Sequence, residues 1–219
     1  MSTGTRLTNG DHTATVSRLS NHEGDSGEAV PSGGNVDKQN IDSWVVLFTR
    51  TGSEHLLTNI LSAKLDTDKY KPFVPRREIS FRRKGITTTE HKILFPGYVF
   101  LQTYIEKDTI AEGLRPELYK ITGLQIPCSL LYYGDNKRDV AIRQEERSEW
   151  ERLFSPGFCV ETSVGYMVGD EITVTAGALC GFEGRIRKIN RHKREASVEM
   201  NMLGAKREVW LPLEIVERR

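Results

Sequence analysis

The sequence predicts an α+β protein in two parts. A sandwich of helices on a mainly antiparallel sheet comes first, and a small β-barrel follows. Three observations predict this. The apolar run Trp44-Val45-Val46-Leu47-Phe48-Thr49 leads into a stripe of leucines at helical spacing. Phe95-Pro96-Gly97-Tyr98-Val99-Phe100-Leu101 joins a Pro-Gly punctuation point to a β-rich apolar run. Glycines at 177, 181 and 184 then interrupt a C-terminal region of short alternating strands.

Residues 1–41 are rich in Gly, Ser, Thr, Asn and Asp and hold no aromatic residue. Such a segment buries too little apolar area to offset its ordering entropy, so a disordered leader is expected. Trp44–Thr49 suits a buried central strand. Thr51 and Glu54 have the spacing of a capping box. Leu56, Leu57, Ile60, Leu61 and Leu65 then form one apolar helical stripe. Tyr70–Val74 reads as the next strand. The stretch 75–92 carries Arg76, Arg77, Arg82, Arg83, Lys84 and Lys92 against Glu78 and Glu90. It reads as a hairpin extension or mobile loop turning near Lys84-Gly85, either simply solvated or touching nucleic acid or an acidic protein surface.

From Phe95 the side chains are expected to alternate. Phe95, Gly97, Val99 and Leu101 share one face, and Pro96, Tyr98, Phe100 and Gln102 the other, both covered. A helix starts near Glu106–Thr109 with Asp108 as a candidate cap; Gly113 and Pro116 are expected to shorten or break it. A strand over 129–133 and an amphipathic helix over 143–154 complete the first domain, 42–154. Residues 155–167 are the expected linker, and 168–219 the barrel. Its strands are read at 169–174, 185–189, 197–202, 207–211 and 214–216, with a tight Gly loop at 177–184 and Phe182 turned inward. The pattern is that of a small SH3-like barrel.

The 219 residues carry a net charge of +1, so no global field advertises a partner and local clusters must be sought. Cys128, Cys159 and Cys180 form no CxxC pair and have no His close in sequence, which argues against a zinc site or a disulfide framework. Reduced thiols in a cytoplasm are expected. No apolar stretch is long enough to span a bilayer. No nucleophile elbow, Walker loop or zinc-hydrolase helix is present, and the loop at 177–184 lacks the Lys-Ser/Thr ending of a phosphate loop. The reading is therefore a binding protein, not an enzyme, with no cofactor and no metal.

The binding candidates are basic. Arg185, Arg187, Lys188, Arg191, Lys193 and Arg194 fall within ten residues, with Asn190 and His192 and without an acid between them. Residues 190–194 are the expected hairpin tip, and Lys206 and Arg207 extend the patch. Arg and Lys suit phosphates and, for Arg, guanine edges. An A-form helix hides its bases, so a distorted helix, bulge or loop is the expected RNA target.

In order, then, come a Trp-led strand, a helix, a basic stretch, the Phe-Pro-Gly-Tyr-Val strand and a basic Gly-punctuated module. This series resembles the NusG family of transcription elongation factors from about Trp44 to Arg219, and within it the LoaP-type specialised antiterminators. The Val174…Gly177…Gly181…Gly184…Ile186 pattern resembles a KOW motif. The resemblance implies an NGN-type first domain that grips the clamp helices of the largest RNA polymerase subunit, with Trp44, Phe95 and Tyr98 at or beside that face. It implies processivity by favouring the elongating state over the paused one. In housekeeping members an Ile-Phe-Gly-like barrel tip engages Rho and a ribosomal protein; here that tip reads Met202-Leu203-Gly204. A LoaP-like member would bind an RNA hairpin in the nascent leader, with upstream or non-template DNA as a further candidate partner, and would act as a monomer. The alternatives are a general NusG-type factor coupled to Rho or the ribosome, a DNA-recruited RfaH-like factor, and a translation-associated KOW protein.

Overall fold

The computed structural model describes residues 42–83, 86–122 and 126–217. The expected leader and the Lys84-Gly85 turn lie outside the described residues. In chain order the first domain contains β1 (Ser43–Thr49), α1 (Glu54–Lys64), β2 (Tyr70–Phe73), β3 (Arg76–Arg83), β4 (Ile86–Ile93), β5 (Tyr98–Thr103), α2 (Lys107–Thr122), β6 (Cys128–Leu130) and α3 (Gln144–Leu153). The antiparallel sheet runs β2-β5-β1-β6, with the Trp44–Thr49 run at its centre as its apolar content demands. One face carries Val45, Leu47, Val99 and Leu101 and packs on Leu57 and Leu61 of α1 and Ile110 and Leu114 of α2. The other carries Trp44, Val46 and Phe100 and meets Trp150 and Leu153 of α3. The 75–92 stretch is the β3–β4 hairpin, in register from Arg76↔Ile93 to Arg83↔Ile86.

Four local expectations are corrected. The first concerns the capping box. The helix starts at Glu54 with Ser53 at its N-cap, and the Glu54 carboxylate instead accepts the N–H groups of Gly52 (2.8 Å) and Gly97 (2.6 Å). Leu56 is 55% exposed, because it lies off the stripe formed by Leu57, Leu61 and Leu65. Thirdly, the alternation begins only at Tyr98. Phe95-Pro96-Gly97-Tyr98 is a turn closed by the Tyr98 N–H on the Phe95 carbonyl (3.1 Å), with Gly97 at φ +86°, a type II arrangement. Phe95 therefore joins the Phe100 face, its ring 5.8 Å from that of Phe100. Lastly, α2 runs unbroken through Pro116. The proline sits on its exposed side, while Ile110, Ala111, Leu114, Leu118 and Ile121 hold the opposite side in the core, so the freed carbonyl faces water.

The remaining elements are β7 (Cys159–Val160), β8 (Ser163–Val168), β9 (Glu171–Ala176), a 3₁₀ turn (Glu183–Arg185), β10 (Ile186–Asn190), β11 (Glu195–Met202) and β12 (Ala205–Ile215). Five of the strands form a curled sheet, β10-β11-β12-β8-β9, around Val174, Leu179, Phe182, Val198, Met200 and Leu211. The segment expected as a linker is occupied by β7, which pairs in parallel with β3, and by most of β8. The two strands expected at 207–211 and 214–216 are one. Pro212 lies where β12 leaves β11 (Glu195↔Pro212) for β8 (Leu213↔Ser163), a point at which a missing N–H costs little.

The 177–184 loop depends on backbone contact. Gly177 has φ +96°, and a Cβ there would stand 2.5 Å from the Ser163 α-carbon. Gly177→Ala is expected to lower barrel stability by about 1–3 kcal/mol, measured as a fall in the midpoint of chemical denaturation. Gly184, with nothing within 4 Å of its would-be Cβ and no positive φ, is expected to accept Ala.

Candidate functional site

Trp44, Phe95 and Tyr98 lie on the sheet face that looks toward the barrel, but at different depths. Trp44 is 2% exposed, edge-on to Phe73 (5.2 Å) and Phe158 (5.9 Å), with the Arg147 guanidinium 5.2 Å from its ring centre. It shapes the face from beneath. Phe95 is 8% exposed and edge-on to Trp150 at 5.0 Å. Tyr98 is half-buried, with its ring against Phe48 (5.5 Å), which is exposed. Phe95, Pro96 and Tyr98 form one wall of a cleft of about 300 Å³, and Met202, Val209 and Trp210 of the barrel form the other.

Directed polar contacts hold the barrel there. The Trp150 indole N–H donates to the Asn201 carbonyl at 3.0 Å. The Gly204 N–H donates to Glu146 at 3.3 Å, and the Tyr133 hydroxyl donates to the other oxygen of the same carboxylate. Burial and that carboxylate push the Tyr133 hydroxyl well above its ordinary pKa. Arg185 reaches Glu149 through both terminal nitrogens at 2.7 Å. This hydrogen bond holds the Glu149 carboxyl below the usual range. Arg77 of β3 donates to the Trp210 carbonyl (2.7 Å) and to Glu195 (3.1 Å). Arg152 of α3 lies 4.8 Å from the centre of the Phe182 ring. The Met202-Leu203-Gly204 tip is thus docked, with Gly204 at φ +74° so close that a Cβ would meet the Tyr133 ring at 3.3 Å.

The ten expected RNA-binding residues do not form one continuous positive edge. Arg185 is spent on Glu149. Arg187 (3.3 Å) and Lys206 (2.8 Å) share Glu199, Lys188 faces Glu208 (3.7 Å) and Arg194 faces Glu214 (3.8 Å). Asn190 accepts the Lys193 N–H at 2.9 Å and so shapes the turn. Arg191, His192 and Lys193 stand exposed at the β10–β11 tip, and Arg207 on β12, with no ion pair among the described residues. The uncompensated charge is therefore concentrated at the tip. Sequence reading missed the acids that interleave from β11 and β12, and also missed Glu146, Glu149 and Trp150 as docking residues. Their only signal is cross-strand and interdomain adjacency, which linear spacing does not carry.

No group of His, Cys, Asp and Glu among the described residues could hold a metal ion. No described helix is long and apolar enough to cross a membrane. Fold and site together define a protein in which a helix-backed antiparallel sheet is joined to a small barrel with a cationic tip. Residues 42–148 match the family model described as "Transcription termination factor nusG". The transcription termination/antitermination protein NusG of Rickettsia typhi is 21% identical over 175 residues, covering 77% of this chain and 86% of that protein. Its counterpart from Halalkalibacterium halodurans is 24% identical over 186 residues, covering 80% and 98%. A solved structure described as "Domain interaction in Thermotoga maritima NusG" aligns over 78% of this chain and 93% of that one at 18% identity, with a TM-score of 0.41. Residues 42–148 are thus similar to the NusG family.

Proposed function

We propose that this chain is a cytoplasmic NusG-type termination/antitermination factor, not an enzyme. On this reading it grips the RNA polymerase clamp through its first domain, binds a hairpin in nascent leader RNA through its barrel, and carries transcription through terminators in the manner of a LoaP-type antiterminator. The observation that carries the RNA half is the exposed Arg191-His192-Lys193 tip, which with Arg207 is the part of the predicted patch that neighbouring acids leave uncompensated among the described residues. Arginine and lysine at a convex tip suit phosphates flanking a bulge or loop. The polymerase half rests on the family match over residues 42–148 and on the apolar cleft wall of Phe95, Pro96 and Tyr98, with Trp44 buried beside it. Replacement of an aromatic tip by Met202-Leu203-Gly204, docked on α3, favours the specialised reading over one coupled to Rho or the ribosome.

The test is binding of the full chain to stem-loop RNAs from the leader of its own operon, followed by fluorescence anisotropy over a salt series. Affinity is expected to fall with salt with a log–log slope of about −0.7 to −0.9 per neutralised phosphate. Arg191→Ala with Lys193→Ala is expected to shallow that slope by about two such increments. Arg194 is a poor choice of probe, because it holds φ 53° in the turn and its carbonyl accepts the Leu213 N–H. Binding no tighter than to a scrambled stem-loop would overturn the reading.

A further inference from the structure

The tip does not stand alone. Between it and the β3–β4 hairpin runs a groove of about 830 Å³, lined on the hairpin side by Arg77, Phe81 and Lys92 and on the barrel side by His192, Lys193 and Trp210. Two aromatic side chains are left open in it, Phe81 at 39% and Trp210 at 36% exposure. Neither is needed by either core cluster. The register explains the hairpin wall. Arg77, Ile79 and Phe81 alternate onto one face of β3, and Lys92 stands opposite Arg77 on β4. The walls are fixed to one another, because Arg77 donates both to the Trp210 carbonyl and to Glu195.

We propose that this groove binds single-stranded RNA, the unpaired segment adjoining the hairpin that the tip holds. The inference rests on the RNA-binding reading of the barrel given above. Its chemistry is that of a stacking platform beside a cationic track: bases stack on exposed aromatic faces while the backbone follows Lys and Arg. Two of the acids near the groove are already neutralised, Glu195 by Arg77 and Glu214 by Arg194. Glu90, opposite Ile79, shares this face of the hairpin without lining the groove, whereas Lys92, His192 and Lys193 line it. Asn190 also lines it; its Oδ1 accepts the Lys193 N–H and keeps a second lone pair for a 2′-hydroxyl, which favours RNA over DNA. Neither domain holds the site alone, since one aromatic comes from each.

The experiment uses the full chain with two probes, a short fluorescein-labelled oligouridylate for the groove and the leader stem-loop without flanks for the tip. Oligouridylate is expected to bind and to quench tryptophan emission through Trp210. Phe81→Ala and Trp210→Ala are each expected to weaken oligouridylate binding about tenfold, with stem-loop affinity unchanged. Trp210→Tyr is expected to restore most of the affinity without the quenching, which separates stacking from a folding defect. Oligouridylate binding by Phe81→Ala equal to that of the parent chain overturns the groove, as does equal or tighter binding of oligothymidylate. Failure of the stem-loop alone to bind, with oligouridylate still held, instead counts against the tip reading.

Discussion

Replacing Glu54 by Ala is expected to remove ~2 kcal/mol of unfolding stability, because the buried Gly97 N–H is left unpaired at about 1–3 kcal/mol while the exposed Gly52 N–H turns to water. The carboxylate ties three pieces of chain together. It begins α1, accepts Gly52 N–H at 2.8 Å in the turn after β1, and accepts Gly97 N–H at 2.6 Å in the Phe-Pro-Gly turn before β5. It is 1% exposed, so water cannot take its place. Glu54→Gln keeps the shape but aims an amide N–H₂ at one of the donors, and about half the loss is expected. The pH dependence follows from the same contacts. Burial raises the Glu54 pKa, but the backbone N–H groups of Gly97, Glu54 itself and Gly52 outweigh it and hold the carboxyl below its ordinary value. A depressed carboxyl contributes fully above the unfolded pKa of about 4.3. Its contribution is lost as pH falls through the lower folded value. The gap in denaturation midpoint between the parent chain and Glu54→Gln should therefore be constant from neutral pH to about pH 5 and close below about pH 4. A gap that stays unchanged from pH 5 to pH 3 would show that the carboxylate is not the stabilising species.

Glu54 also marks where the sequence was legible and where it was not. Its distance from Thr51 points to a helix but misplaces the start, since a capping box sets the acid at the third helical position and Glu54 stands at the first, behind Ser53. What the spacing hides is a partner 43 residues away, Gly97, brought close by the pairing of β1 with β5. The same limit applies elsewhere. Apolar runs such as 44–49 and 98–101 identify strands because burial on two faces leaves a pattern in one dimension. Pro116 and Pro212 mislead because the cost of a proline depends on whether its missing N–H faces water or a ladder, and only the fold decides that. The basic run at 185–194 is real, but its field is set by Glu199, Glu208 and Glu214, which lie on adjoining strands and out of sequence. The cation tip survives this correction because a hairpin turn has no flanking strand to supply an acid.

Glu149→Lys is expected to release the barrel and, on the polymerase-binding reading, to raise polymerase affinity by about tenfold or more. Phe95 is 8% exposed behind Met202, Val209 and Trp210, so a protein partner that needs its ring must first displace the barrel. Docking then acts as a tax on affinity: the apparent dissociation constant is the intrinsic one divided by the undocked fraction. Lys at 149 would face Arg185, which now spans Glu149 with two contacts of 2.7 Å, and like charges at that range oppose docking by about 2–3 kcal/mol. The first domain should keep its own stability, because Trp150, Leu153 and Phe154 still pack α3 and its end against Trp44, Phe95 and Phe100. Undocking is read as new protease cleavage over 155–162 and as loss of oligouridylate binding in the two-domain groove. The charge-swapped pair, Glu149→Lys with Arg185→Glu, rebuilds the contact in reverse and is expected to restore docking and lower polymerase affinity again. Single and swapped variants that bind polymerase as the parent chain does would mean that Phe95 lies outside the polymerase contact, and that the barrel and the enzyme occupy separate faces.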